Sequence, residues 1–179
     1  MLFPLLIWFL AFIHFPEKNE STPLTSDEQK LALAINTYRK TLGLKSVPIS
    51  NALTKVAQLH AADLKAFPPK EPCNMHSWSA NGKWTPCCYT PDHKQAQCMW
   101  LKPSELTDYA GHGYEISAFN TAPQVDWLAQ WKKSIGHNQV ITNQSIWKEV
   151  EWKAMGLAIR PPYAVVWFGK EEDKTGAKE

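Results

Sequence analysis

Residues 152–168, WKAMGLAIRPPYAVVWF, decide the fold class. Two apolar runs, 152–160 and 163–168, are rich in β-branched and aromatic side chains, and Pro161-Pro162 falls between them where a hairpin turns. They read as two adjacent strands closing the chain. Upstream, the clear period is helical. Leu31, Ala34, Ile35 and Tyr38 recur at three- and four-residue spacing, and Ser26 with Gln29 resembles a capping box, so a first helix opens at Ser26 and ends near Gly43. Residues 50–66 set Leu53, Val56, Ala57, His60, Ala61 and Leu64 on one face, and Phe67-Pro68-Pro69 stops this second helix. Residues 123–134 place Val125, Leu128 and Trp131 at helical spacing, with Gly136 expected to break the third helix. Helices followed by a terminal hairpin imply an α+β fold, with an antiparallel sheet between helical layers.

Between the second and third helices, residues 68–113 show no sustained period. They hold Cys73, Cys87, Cys88 and Cys98 together with Trp78, Trp84 and Trp100. An even cysteine count in an exported chain reads as two disulfides stapling a loop. Adjacent Cys87 and Cys88 bridge each other poorly, which leaves two pairings: Cys73–Cys87 with Cys88–Cys98, or Cys73–Cys88 with Cys87–Cys98. A zinc knuckle competes, but the four cysteines lack the paired CxxC spacing of structural zinc sites. The stapled loop is expected to be ordered and to fold onto the domain through its tryptophans.

Residues 1–15 are almost wholly apolar, the length of a signal h-region and short for a membrane span. They read as a signal peptide. An uncleaved N-terminal anchor is the alternative, because no Lys or Arg precedes the run and no small-x-small site follows it. Residues 16–25 are a polar linker, residues 26–169 the single folded domain, and residues 170–179 a charged tail expected to fray. The chain is therefore expected to be secreted, periplasmic or in the cell envelope, touching membrane only through residues 1–15 if these are retained. Nine tryptophans and 44% hydrophobic residues in a chain of 179, with a net charge of +2, exclude a disordered chain. The lysines are scattered singly and form no basic stripe, so no nucleic-acid partner is expected.

With the elements placed, a series of short motifs resembles the CAP superfamily of cysteine-rich secretory, antigen 5 and pathogenesis-related 1 proteins, in that family's order. Leu33-Ala34-Ile35-Asn36-Thr37-Tyr38-Arg39 with Gly43-Leu44 resembles its opening helix, and residues 53–61 its second. His76-Ser77, Gly113-Tyr114-Glu115-Ile116, Trp131-Lys132-Lys133-Ser134-Ile135-Gly136-His137-Asn138 in the bacterial form, and the closing hairpin Met155-Gly156-Leu157-Ala158 with Ala164-Val165-Val166-Trp167-Phe168 follow in turn. The resemblance implies a three-layer α-β-α sandwich whose cleft is lined by His76, Glu115 and His137. Ser134 stands where many eukaryotic members carry a second glutamate, so the full acidic pair is absent. Tyr114 and Ile116 also depart from the family's usual segment.

Two imidazoles and a carboxylate suit zinc or another first-row divalent ion, with a fourth position left to water. His76, Glu115 and His137 are therefore the candidate metal ligands. The competing expectation is a hydrogen-bonded cleft in which Glu115 orients a histidine and holds no ion. His60 reads as a core or cleft-edge residue; His93 and His112 fall in the loop, with His112 close in sequence to Glu115. Paired cysteines leave no reactive thiolate, and neither Ser134 nor Ser77 carries a nucleophile-elbow signature. The leading expectation is a binding module, not an enzyme, whose partner is a small lipid, glycan or peptide or a cell-envelope component. The alternatives are a metal-dependent hydrolase acting on envelope peptides or glycans, and a structural or adhesion domain whose cleft is filled by side chains.

Overall fold

The most apolar segment of the chain takes the middle of the sheet. In the computed structural model, which describes residues 21–174, strands β1 (Gly113–Phe119), β2 (Ala154–Arg160) and β3 (Tyr163–Gly169) form an antiparallel sheet in the order β1-β3-β2. Glu115 lies opposite Trp167 across β1 and β3, and Gly156 opposite Trp167 across β2 and β3. All of β3 is buried, so both of its faces must be covered. Ala164, Val166 and Phe168 join one core, and Tyr163, Val165 and Trp167 join the other. Each large side chain so enclosed contributes roughly 1.5–3 kcal/mol.

Helix α1 (Ser26–Thr41) covers the first face, joined by α5 (Trp127–Lys133) and α6 (Ile135–Thr142), while α2 (Asn51–Ala66) covers the second. The excursion between α2 and β1 adds α3 (Ala96–Trp100) and α4 (Lys102–Leu106) and packs against α2. This is the expected three-layer α-β-α sandwich. Its disulfides are Cys73–Cys88 and Cys87–Cys98, the second of the two pairings the sequence left open. The tryptophans do fold down: Trp78 is buried among Ala61, Leu64 and Trp167.

Several local expectations change. The capping box falls one residue earlier, between Thr25 and Glu28, because Glu28 is also held by the backbone of Ile159 and by Arg160 at the hairpin. Gly136 does not end the helical stretch. Ser134 instead takes an extended conformation that closes α5, and its side chain caps α6, which begins at once with Gly136 inside it. Residues 113–119, unread as a strand from sequence, are β1. The start of the charged tail is not frayed: Asp173 accepts hydrogen bonds from the Ser50 hydroxyl at 2.6 Å and the Ala52 amide at 3.0 Å, at the open N-terminus of α2. At the other end, Thr22 of the linker is bonded to Gln58 through both its amide and its carbonyl. The proposed signal or anchor at residues 1–15 lies outside the described residues. Among the described residues no helix is long and apolar enough to cross a membrane.

The layers meet most closely at Gly156. A Cβ added there would stand 2.0 Å from the Leu53 carbonyl carbon and 2.1 Å from the Thr54 amide nitrogen, both backbone atoms of α2. Only the missing side chain lets α2 rest on β2 at that depth. Gly156→Ala is therefore expected to cost about 2–3 kcal/mol as an overpacking substitution, measured by urea denaturation; unchanged stability would show that α2 can lift without loss.

Candidate functional site

The period of β1 aims Glu115 at the α2 layer. Tyr114, Ile116 and Ala118 fill the first core, so the alternate residues Glu115 and Ser117 face the second, where a carboxylate has no water to solvate it. Two histidines supply its partners. His60, on the buried face of α2, brings Nδ1 against Glu115 Oε1, and His76, in the stapled loop, brings Nδ1 to 2.7 Å from Oε2. The His60 and Glu115 side chains are fully enclosed, whereas the His76 side chain keeps 20% of its surface exposed.

The second ring nitrogen of His60 lies 3.0 Å from the Ser77 carbonyl oxygen, which only accepts. Both ring nitrogens of His60 therefore face oxygen acceptors, the Glu115 carboxylate on one side and the Ser77 carbonyl on the other. Burial pushes Glu115 upward, but the His60 charge and the hydrogen bonds from His60 and His76 outweigh it and hold the carboxyl below its usual range. With Nδ1 turned to Glu115, His76 has Nε2 as its other ring nitrogen, a lone-pair donor whenever the ring is neutral. The His60 ring is further fixed by parallel stacking on Trp78, with centroids 4.4 Å apart.

The stapled loop sets His76 in place. Cys73–Cys88 closes a short ladder in which the Asn74 amide donates to the Tyr89 carbonyl at 2.8 Å and the Trp78 amide to the Cys87 carbonyl at 2.8 Å. The Asn74 side chain accepts the His76 amide at 3.0 Å, and Tyr89 packs edge-on against the His76 ring at 5.2 Å. His137 stands in the first turn of α6. Burial, and then the His76 charge, drive its imidazole down to about 4, with Glu115 opposing; no hydrogen bond joins the His137 ring to either residue among the described contacts. Ser134 serves this site through the backbone, capping the helix that carries His137.

The donors fit a divalent ion only in part. Glu115 has both oxygens engaged by imidazoles, so it orients His76 instead of offering a free ligand atom. His76 Nε2 and the neutral His137 ring are the nitrogen donors that would hold an ion. Among the described residues, no three His, Cys, Asp or Glu side chains stand grouped as a metal site. His112, close to Glu115 in sequence, is exposed and stacks beside Trp100 at 6.2 Å. His60, expected from the sequence as a core or cleft-edge residue, is in direct contact with Glu115. Its only sequence signal was a polar ring on an apolar helical face.

A separate groove of about 770 Å³ runs between α1 and the segment leading into α5, away from the histidines. Leu31, Ala34, Val125, Trp127, Leu128 and Ile159 supply apolar walls, and Asp27, Lys30, Asn120, Thr121, Gln124 and Asp126 polar ones.

A histidine-flanked carboxylate at the edge of an α-β-α sandwich, beside a disulfide-stapled loop, defines a CAP-type domain. The chain belongs to the cysteine-rich secretory protein family, whose model matches residues 33–159. No curated protein matches it. Among solved structures it is similar to an outer surface protein from Borrelia burgdorferi, at 19% identity and a TM-score of 0.55, covering 84% of this chain and 97% of that one. It is also similar to an extracellular SCP-domain protein from Bacillus anthracis, at 16% identity and a TM-score of 0.55, covering 84% of this chain and 45% of that one. A cysteine-rich secretory protein from Staphylococcus aureus shows 17% identity and a TM-score of 0.52, over 80% of this chain and 38% of that one. These likenesses show a shared fold.

The depressed His137 sets a pH dependence. Between about 4 and its ordinary 6.5 the unfolded chain binds a proton that the folded chain refuses, so this contribution to stability is complete above 6.5 and falls as pH drops toward 4. A ring-proton NMR titration of His137 is expected to show a midpoint near 4, and His137→Gln to flatten the stability profile across that window. A midpoint at the ordinary value would put the ring in open solvent.

Proposed function

We propose that this chain is a binding module working outside the cytoplasm, and that it takes a small lipid-like amphiphile in the groove beside α1. The groove carries the reading: its volume of about 770 Å³ falls in the range of small-molecule sites, and apolar walls from α1 and the α5 approach alternate with polar and charged side chains, as an amphiphile requires. Two disulfides fit an oxidising compartment. The relatives named above as an outer surface protein and an extracellular protein support the same location. Ala34→Trp would fill the groove from the half-buried face of α1 without touching the histidines. Titration with a fluorescent fatty acid is expected to give saturable binding to the wild type and at least a tenfold weaker affinity in Ala34→Trp. Equal binding by both would remove the groove from the account.

A second reading, divalent-ion binding, draws on the neutral state of His137 and on the His76 Nε2 left free of the Glu115 bond. A bound ion would supply Lewis-acid polarisation, which the hydrolase alternative requires. The protein's own part is to keep His76 in one tautomer and His137 unprotonated. Cobalt and zinc titrations are expected to give binding that is lost in both His76→Ala and His137→Ala. Binding indifferent to both substitutions would end this reading and, with it, the hydrolase.

A further inference from the structure

His60 is bound at both ring nitrogens, and both bonds lead to His76. One passes through Glu115, whose second oxygen receives the His76 Nδ1 proton; the other ends on the carbonyl of Ser77, the next residue in the chain. Trp78 stacks against the same ring at 4.4 Å, and Trp167 closes its edge at 6.1 Å. An enclosed ring with two directed bonds and a stacked face cannot turn without breaking all of them. From this geometry we infer that His60 is the positioning residue of the site, clamping Glu115 and the His76-Ser77 backbone so that His76 presents Nε2, and not Nδ1, outward.

The physical argument is that a carboxylate held by a single donor can rotate about its last bond. Glu115 has two oxygens and two imidazole donors, one on a rigid helix and one on a loop. The helix-borne donor fixes the plane of the carboxylate, and the fixed plane selects the tautomer of the loop-borne ring. This is the relation of an outer-shell partner to a ligand, with the helix, the strand and the loop each supplying one member. His60 touches no solvent. Its effect on any ligand is therefore exerted wholly through His76.

The affinity part of the test rests on the divalent-ion reading above, whereas the tautomer part needs no ion. The disulfide-bonded protein would be labelled with ¹⁵N-histidine and compared as wild type, His60→Phe and His60→Asn. Phe keeps the stack on Trp78 and loses both bonds; Asn keeps an amide donor toward Glu115. Wild-type His76 is expected to show the Nδ1–H pattern, His60→Phe a mixture of tautomers, and His60→Asn a return to the single form. Cobalt affinity is expected to fall about 10- to 100-fold in His60→Phe. Should His60→Phe fail to fold, His60→Gln, whose amide reaches toward Ser77 alone, replaces it, and tautomer mixing is expected there too. An unmixed Nδ1–H pattern in His60→Phe, or in His60→Gln beside His60→Asn, overturns the inference. If cobalt does not bind the wild type, the ion reading falls and the tautomer comparison still decides the role of His60.

Discussion

A carboxylate with no exposed surface must be given its donors by the fold, and Glu115 obtains its two from elements distant in sequence. One donor comes from the middle of α2, the other from the stapled loop, and the carboxylate itself from the edge strand β1. Removing either donor would leave one carboxylate oxygen without a partner in an apolar layer. The cluster thus ties together the three parts that enclose it. Trp78, stacked on His60 and itself met edge-on by Trp84, extends the tie into the loop's own core.

That arrangement depends on how the sheet divides the interior. Because β3 is buried on both faces, the alternation of side chains along each strand sorts them into two cores with different characters. The core under α1, α5 and α6 is closed by aromatic packing among Tyr114, Trp147, Trp152 and Phe168. The core under α2 holds the His60 and Glu115 pair, and around it lie the described buried polar atoms without a partner: Thr54 Oγ1, Trp78 Nε1, Ser117 Oγ and Trp167 Nε1. The other side has buried charges of its own, Glu28 and Arg39 of α1, so what sets the α2 side apart is the paired His60 and Glu115. The close approach at Gly156 brings α2 near enough for His60 to reach across to β1.

The stapled excursion does for His76 what a helix does for His60. A loop of this length loses too much entropy to hold one histidine by itself. Cys73–Cys88 reduces the freedom of the segment before folding begins, its backbone ladder orders it on folding, and the Lys102 ammonium, buried against Glu105 and the Thr85 carbonyl, pins the loop's far side. His137, the remaining residue of the family motif, is carried by α6 on the opposite layer. The α1 groove shares none of these residues, which makes the two candidate binding regions structurally independent.

Much of this was legible in the chain itself. The helical period of residues 31–38 and 53–64, the apolar runs of the terminal hairpin, the clustered cysteines and the ordered motifs required no tertiary information, because each is a local pattern or a linear series. His76, Glu115 and His137 were named in that way. The strand at 113–119 was missed although Tyr114, Ile116 and Ala118 alternate with Glu115 and Ser117, since glycine and polar residues masked so short a period. What only the tertiary structure decided was which disulfide pairing forms, that the tail returns to cap α2, that both Glu115 oxygens are consumed by imidazoles, and that His60 belongs to the site. Each of these depends on distances between residues tens of positions apart, and spacing along a chain carries no information about such distances until the layers have packed.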